Sequence, residues 1–454
     1  MLRYIYNHKV KHYEKKIAII LTLQFIITVF AFSGCGESTA SSNSSKLTYC
    51  AYYEDAICDI IKRYNKYCTK HYDESYQIEI AEFESQEEMK LKMSTEIMAG
   101  EGPDIFSLSQ KLPFEKLTDS KTIADVNELI SEFSYDIGID NCNSKIMDAG
   151  VIDGKRYFIP LFYSPDVFIT TEETLNKYNL TSSEFSFKAL SEKLSKNKKE
   201  YSLFGSADDN IAFFYSFLDQ YIDFNSGNTE FNSDKFSEDL DSIYSLIKND
   251  TTDENVYYFL YENINNGASI LYKEMPAFSI IVKTYSCLKY LGSTPVFVNN
   301  YNMDDDSISA SIDVGIAVND NCKNKEKLLP FIKYCLSCDV QKNMSEECMY
   351  LPVNSDAMEK CIDSIDEAID FGDLIVSDKE KAIVETAQSA AIRDYKYIIN
   401  NITKCNLYGF NYLSDTYFNS SVISDIVDKY LNGDISNEKF IRQLTAATEI
   451  YLKE

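Results

Sequence analysis

The feature that most constrains this chain is a strict alternation of strand and helix signals near its start. Lys46 to Tyr52 alternates as a strand, and Ile57, Ile60, Ile61 and Tyr64 then recur at helical spacing. Gln77 to Phe83 reads as a second strand. Ser85 with Glu88 forms a capping box before a helix whose face carries Met89, Met93 and Ile97. Gly100 supplies the C′ glycine that stops this helix, and Asp104 to Leu108 follows as a short buried strand. Strand, helix, strand, helix, strand predicts a parallel sheet flanked by helices, the start of a doubly wound α/β lobe. At 454 residues the chain exceeds a single core, so two lobes are expected.

The segment before this lobe is of another kind. Lys9, Lys11, Lys15 and Lys16 lead into Ile17 to Phe32, a run of 16 residues without a charge. A membrane helix needs ~20. A basic start, a short apolar run and a small-residue exit predict a secretory signal over residues 1–34. The exit Phe32-Ser33-Gly34-Cys35 resembles a bacterial lipobox, with Phe where Leu is usual. The resemblance implies that Cys35 becomes the acylated N-terminus, placing the chain at the extracytoplasmic face of the cell membrane, on a Gram-positive surface. An uncleaved anchor is the alternative, and it also puts the rest of the chain outside. Residues 35–46 are too polar to bury anything and read as a flexible tether.

Removing residues 1–34 takes away five basic side chains and one acidic, which moves the net charge from −27 to −31. Such a charge argues against nucleic acid or anionic lipid as a partner. Of three histidines, only His71 remains after the signal, in a polar stretch that reads as surface. A Ser-His-Asp triad or an HExxH zinc site would have to use it, and neither pattern is present. Twelve cysteines show no compact framework, and eleven remain once Cys35 is acylated. Cys335 and Cys338 have the spacing of a redox or zinc pair, but no second pair or histidine accompanies them. No metal, cofactor or phosphate loop is expected. Chemistry that needs only two carboxylates stays open.

The stretch Met98-Ala-Gly-Glu-Gly-Pro-Asp-Ile-Phe-Ser-Leu108 resembles extracellular solute-binding proteins of ABC importers, of the maltose-binding type (family 1). Further segments resemble the same family in its order. Gly154 to Leu161 is similar to its crossing from first lobe to second, and Glu173 to Leu180 to a helix start. Gly267 to Phe278 is similar to a strand and aromatic turn, Asp313 to Val318 to the return strand, and Tyr350 to Asn354 to its successor. The C-terminal pair Val422 to Leu431 and Ser436 to Leu452 matches in style. A helix is expected over 325–343, starting nearer Leu328 because of Pro330.

The resemblance implies a periplasmic-binding-protein-like type II fold: two α/β lobes, a multi-strand hinge and a ligand cleft between them. The expected division is 47–157 for the first part of lobe 1, 158–310 for lobe 2, 311–350 for the return to lobe 1, and mainly lobe 2 helices over 351–454. It also implies a monomer without catalysis that captures a small solute, first a sugar, and hands it to an ABC permease. Strand ends and the loops after them supply the candidate ligand contacts. These are Tyr52, Tyr53 and Glu54 after the first strand, and Ser109 and Gln110 after the third. Tyr163 and Ser164 sit at the crossover, Asp209 at a helix start, and Phe278 in the aromatic turn. Tyr and Phe would supply ring faces in a chain that has no Trp. Each tyrosine has packing as its alternative, and Asp209 has helix capping. A surface carbohydrate-active enzyme with paired carboxylates, or a ligand-sensing partner of a membrane receptor, are the competing readings.

Overall fold

The alternation over residues 46–108 is present, element by element, in the computed structural model. That structure describes residues 46–181, 187–196, 201–204, 207–223, 228–248, 260–273, 277–299, 308–364, 377–407 and 421–453. The signal segment, Cys35 and all but the last residue of the tether lie outside the described residues. Strand β1 (Leu47–Ala51) leads to α1 (Ala56–His71), whose stripe Ile57, Ile60, Ile61, Tyr64 and Cys68 is buried. Strand β2 (Ile78–Glu82) leads to α2 (Gln86–Met98), and β3 (Ile105–Ser107) follows. Ser85 caps α2 by accepting from the Glu88 backbone at 3.1 Å. The Glu88 carboxylate reaches back to the Glu84 amide at 3.3 Å, one residue before the cap. Gly100 takes φ +75°, the left-handed stop that a Cβ would resist.

The chain then crosses. Strand β4 (Ile159–Pro165) belongs to the main sheet, and β5 (Val167–Thr171) to a second one. Asp166 is the single residue between them. In the second sheet β5 pairs antiparallel with β6 (Pro295–Asn299), and Ile169 bridges Tyr272. The chain returns on β7 (Ile308–Val318), an eleven-residue strand. Strand β8 (Leu351–Pro352) adds to the main sheet, whose order is β8-β4-β7-β3-β1-β2. Strand β9 (Ile402–Asn406) pairs with the start of β7, while β3 pairs with its end. β1 runs parallel to β2 and β3, and β7 antiparallel to β3 and β4. A sheet with reversed strands in its middle differs from a purely parallel one because β7 arrives from the second half of the molecule.

Four helices of the later sequence frame the sites. They are α3 (Ala207–Asp219), α4 (Phe278–Tyr290), α5 (Leu328–Cys335) and α6 (Cys338–Cys348). The helix expected over 325–343 starts at Leu328, with Pro330 in its first turn where no amide bond is lost. It breaks at Leu336 and Ser337, so Cys335 and Cys338 lie on two helices. None of the eleven described cysteines is in a disulfide. Beyond β8, α7 (Ser355–Asp363) begins at the Asn354 cap, and the long α8 (Asp378–Asn400) lies along α4. The start of the 351–454 span thus joins the main sheet through β8. Among the described residues no helix is long and apolar enough to cross a membrane.

Candidate functional site

The C-terminal end of β1 opens into Tyr52, Tyr53, Glu54 and Asp55. Asp55 is the N-cap of α1, accepting from the Cys58 amide at 2.8 Å. Its other oxygen accepts from the Tyr49 hydroxyl at 2.7 Å and from the Ser109 hydroxyl. Ser107 completes the set, 2.7 Å from Tyr49 and 2.6 Å from Ser109. One carboxylate therefore ties the end of β1 to the turn after β3. Burial, with Asp55 adding, pushes the Tyr49 phenol well up, so it stays a neutral donor. Tyr52 and Tyr53 meet edge to face with centroids 4.5 Å apart, and Tyr53 is 47% exposed. Burial and then Asp55 push its phenol up to about 12. Glu54 is exposed and paired with Lys62.

The crossing strands bring together a second polar group that the sequence did not reveal. Asp166 accepts from Ser309 at 2.8 Å and from Ser311 at 3.0 Å, and its amide donates to the Ser309 carbonyl at 2.8 Å. Asp313 accepts from Ser164. Tyr163 pairs with Ile312 and Phe162 with Val314, so Asp313 is the extra residue of a β-bulge. A bulge re-aims the side chain it carries. The carboxyl of Asp219, at the end of α3, feels the charge of Asp166. All three are densely surrounded yet keep some contact with solvent. Burial pushes Asp219 and Asp313 up to about 7, with Asp166 adding to both. Lys404 restrains Asp219, and Ser164 and Lys273 restrain Asp313. Burial also raises Asp166, against Lys273 and both serines. Tyr350 connects the two groups, because it lies in the field of Asp313 and Tyr53 lies in the field of Tyr350.

Of the sequence candidates, Tyr52, Tyr53, Glu54 and Ser109 gather at the ends of β1 and β3, and Ser164 at the crossing. Three others are placed differently. Gln110 is buried, its amide donating to the Cys50 carbonyl at 2.8 Å and accepting from the Ser107 amide at 3.1 Å. The single turn Leu108–Gln110 folds that side chain back under the sheet. Tyr163 cannot share a face with Ser164, since neighbours on a strand point to opposite sides. It is fully buried and borders a cavity of about 410 Å³ with Asn143, Val353 and Met358. Phe278 starts α4 but is 6% exposed, its ring edge-on to Tyr395 at 5.0 Å. The side chain of Asp209 lies outside the described residues. The missed carboxylates had one signal: Asp313 interrupts the otherwise uncharged strand Ile-Ser-Ala-Ser-Ile-Asp-Val-Gly-Ile-Ala-Val.

No family model and no curated protein matches the sequence. Solved structures do match. A protein from Synechococcus sp. MITs9220, described as an oligosaccharide periplasmic-binding protein, superposes with TM-score 0.60 at 12% identity over 90% of this chain and 99% of that one. A periplasmic oligogalacturonide binding protein from Yersinia enterocolitica gives 0.55 at 14% identity, covering 90% and 99%. The GacH receptor of Streptomyces glaucescens GLA.O, solved unliganded and with acarbose, gives 0.54 at 13% identity, covering 90% and 98%. Together with the two sheets, the single-residue crossing and the returning strand, these likenesses show that the chain has the type II periplasmic-binding-protein fold of the maltose-binding type.

Proposed function

We propose that the protein is a lipid-anchored extracellular solute-binding protein that captures a carbohydrate in the crevice and delivers it to an ABC permease. What supports this reading is a fold whose solved relatives are named for sugars, carrying two polar groups, Tyr52 to Asp55 with Ser109 and Ser164 with Asp166 and Asp313, that are linked electrostatically through Tyr350. Tyr52, Tyr53 and Tyr350 offer ring faces to sugar C–H patches, and the serines and carboxyls offer partners to hydroxyls. A solute that touches both groups favours the closed form by its differential affinity. The lobes divide near Asp166 and within β7, and lipid on Cys35 with a polar leash raises the concentration of the carrier at its permease.

The test is a thermal melt with a panel of oligosaccharides. Ligand at a hundred times its Kd adds about 2.7 kcal/mol, a rise of a few degrees. No shift with any sugar, peptide or small metabolite in the panel overturns the reading. For the anchor, Cys35→Ala is expected to release the protein into the medium. A surface carbohydrate-active enzyme is the second reading, favoured by Asp219 and Asp313, whose carboxyls sit near 7 in the range of a general acid. New sugar products after incubation with the purified protein would replace the first reading with the second.

A further inference from the structure

A cavity of about 410 Å³ lies on the first lobe between α1, α5 and α6, and its lining includes none of the residues of the Asp55 and Asp313 groups. We propose that it is a second binding site, a tyrosine cup for a neutral saccharide ring. This inference does not rest on what the crevice binds.

The walls are Tyr67, Tyr72, Tyr135 and Tyr334, above a floor of Pro330, Val340 and Met344. The floor is buried, while Tyr67 and Tyr72 are each 36% exposed. An apolar concavity of this size with a few polar groups at its edge is the usual form of a small-molecule site. The ring geometry narrows the guest. Tyr67 and Tyr334 have centroids 5.2 Å apart with planes at 37°, and Tyr67 and Tyr72 are 6.2 Å apart at 55°. Tilted faces make a cup instead of a slot, which suits a puckered ring with C–H faces better than a flat aromatic.

Charge narrows it further. Arg63 is held by both oxygens of Glu347 at 2.6 and 2.7 Å, and Lys333 lies 3.8 Å from Asp136. Both rim cations are already balanced, so nothing demands an anionic guest. Asp339 also lines the cavity and lies 3.9 Å from Lys360, so its charge is answered as well and nothing demands a cationic guest. A neutral ring edged with hydroxyls remains, with the tyrosine hydroxyls and Asn343 at hand. The cup is preformed, since His71 stacks on Tyr67 at 4.1 Å and Tyr76 on Tyr72 at 4.9 Å, neither lining the cavity. Side chains fixed before binding lose little freedom on binding.

Saturation-transfer NMR on the purified protein, irradiating tyrosine ring protons, tests this. The probes are N-acetylglucosamine, methyl glucoside and maltotriose, with galacturonate as the charged control. A neutral sugar is expected to receive saturation in Asp313→Asn protein, and to lose at least fivefold in affinity in the Tyr67→Ala, Tyr72→Ala double variant. Tyr67→Phe keeps the ring and is expected to keep binding, which separates loss of a ring face from loss of folding. A pull-down on insoluble neutral glycan distinguishes a polymeric source from a free sugar, and either supports the site. The proposal is overturned if no neutral sugar gives a signal that the double variant removes, if Tyr67→Phe binds as poorly as Tyr67→Ala, or if galacturonate alone binds there. Tyrosine-dependent self-association without sugar binding overturns it as well.

Discussion

Replacing Asp313 by Asn gives a test whose sign is fixed by the structure. The carboxyl is pushed from 3.8 up to about 7, first by burial and then by Asp166, against Ser164 and Lys273. Asn keeps an acceptor for the Ser164 hydroxyl and removes the charge. A carboxyl raised in the folded state holds its proton longer there than in the unfolded chain. Its contribution is therefore whole below about pH 4 and is lost as pH climbs through about 7. A rise of three units corresponds to at most about 4 kcal/mol. The group keeps some contact with water, so relaxation and screening bring the expected penalty at pH 8 to about 1–2 kcal/mol. With about 2.1 cal/mol/K of unfolding entropy per residue, a chain of 454 residues converts this into a gain of about 1–2 °C. Calorimetry of wild type and Asp313→Asn at pH 4.5, 6, 7 and 8 measures it. The variant should melt higher at pH 8, by a difference that shrinks steadily toward pH 4.5, and bind the proposed ligand more weakly. A variant that melts lower at pH 8, or by a constant difference at every pH, refutes the argument that the charge of Asp313 is held in the fold at a cost.

Two other substitutions separate packing from binding. A Cβ at Gly150 would lie 2.1 Å from the Phe158 carbonyl oxygen, which is backbone and cannot step aside. Gly150→Ala should therefore cost roughly 1–3 kcal/mol by denaturant midpoint. Gln110→Ala removes two buried hydrogen bonds and should cost roughly 1–3 kcal/mol with ligand affinity unchanged. Retained stability in the Gln110 variant would contradict the bonds its amide makes to Cys50 and Ser107.

The first lobe was legible because its signals are local. Periodicity set α1 and α2, and glycine chemistry set the stop at Gly100. The fold class followed from the alternation and from the resemblance of ordered segments. The candidate site was legible only at strand ends, where position in the chain and position in the fold coincide. The parity of a strand is harder to read from position: Tyr163 and Ser164 both sit at the crossover, yet only Ser164 holds the Asp313 carboxyl while Tyr163 is buried on the other face. Gln110 looked available because it follows a strand, yet one tight turn reverses it. Asp166, Asp219 and Asp313 stand far apart in sequence, and the latter two come within the field of Asp166 only in the fold. No local pattern records such a meeting.

The passage from β4 to β5 has a mechanical consequence. Only Asp166 separates a strand of one sheet from a strand of the other, and two serines of β7 grip its carboxylate. There is little slack to absorb torsion at that point, so a swing between the sheets bends where Asp166 and the start of β7 lie side by side, and side chains far out on either arm travel furthest. A bulky residue wedged beside that point would limit the stroke without touching the walls where a guest sits.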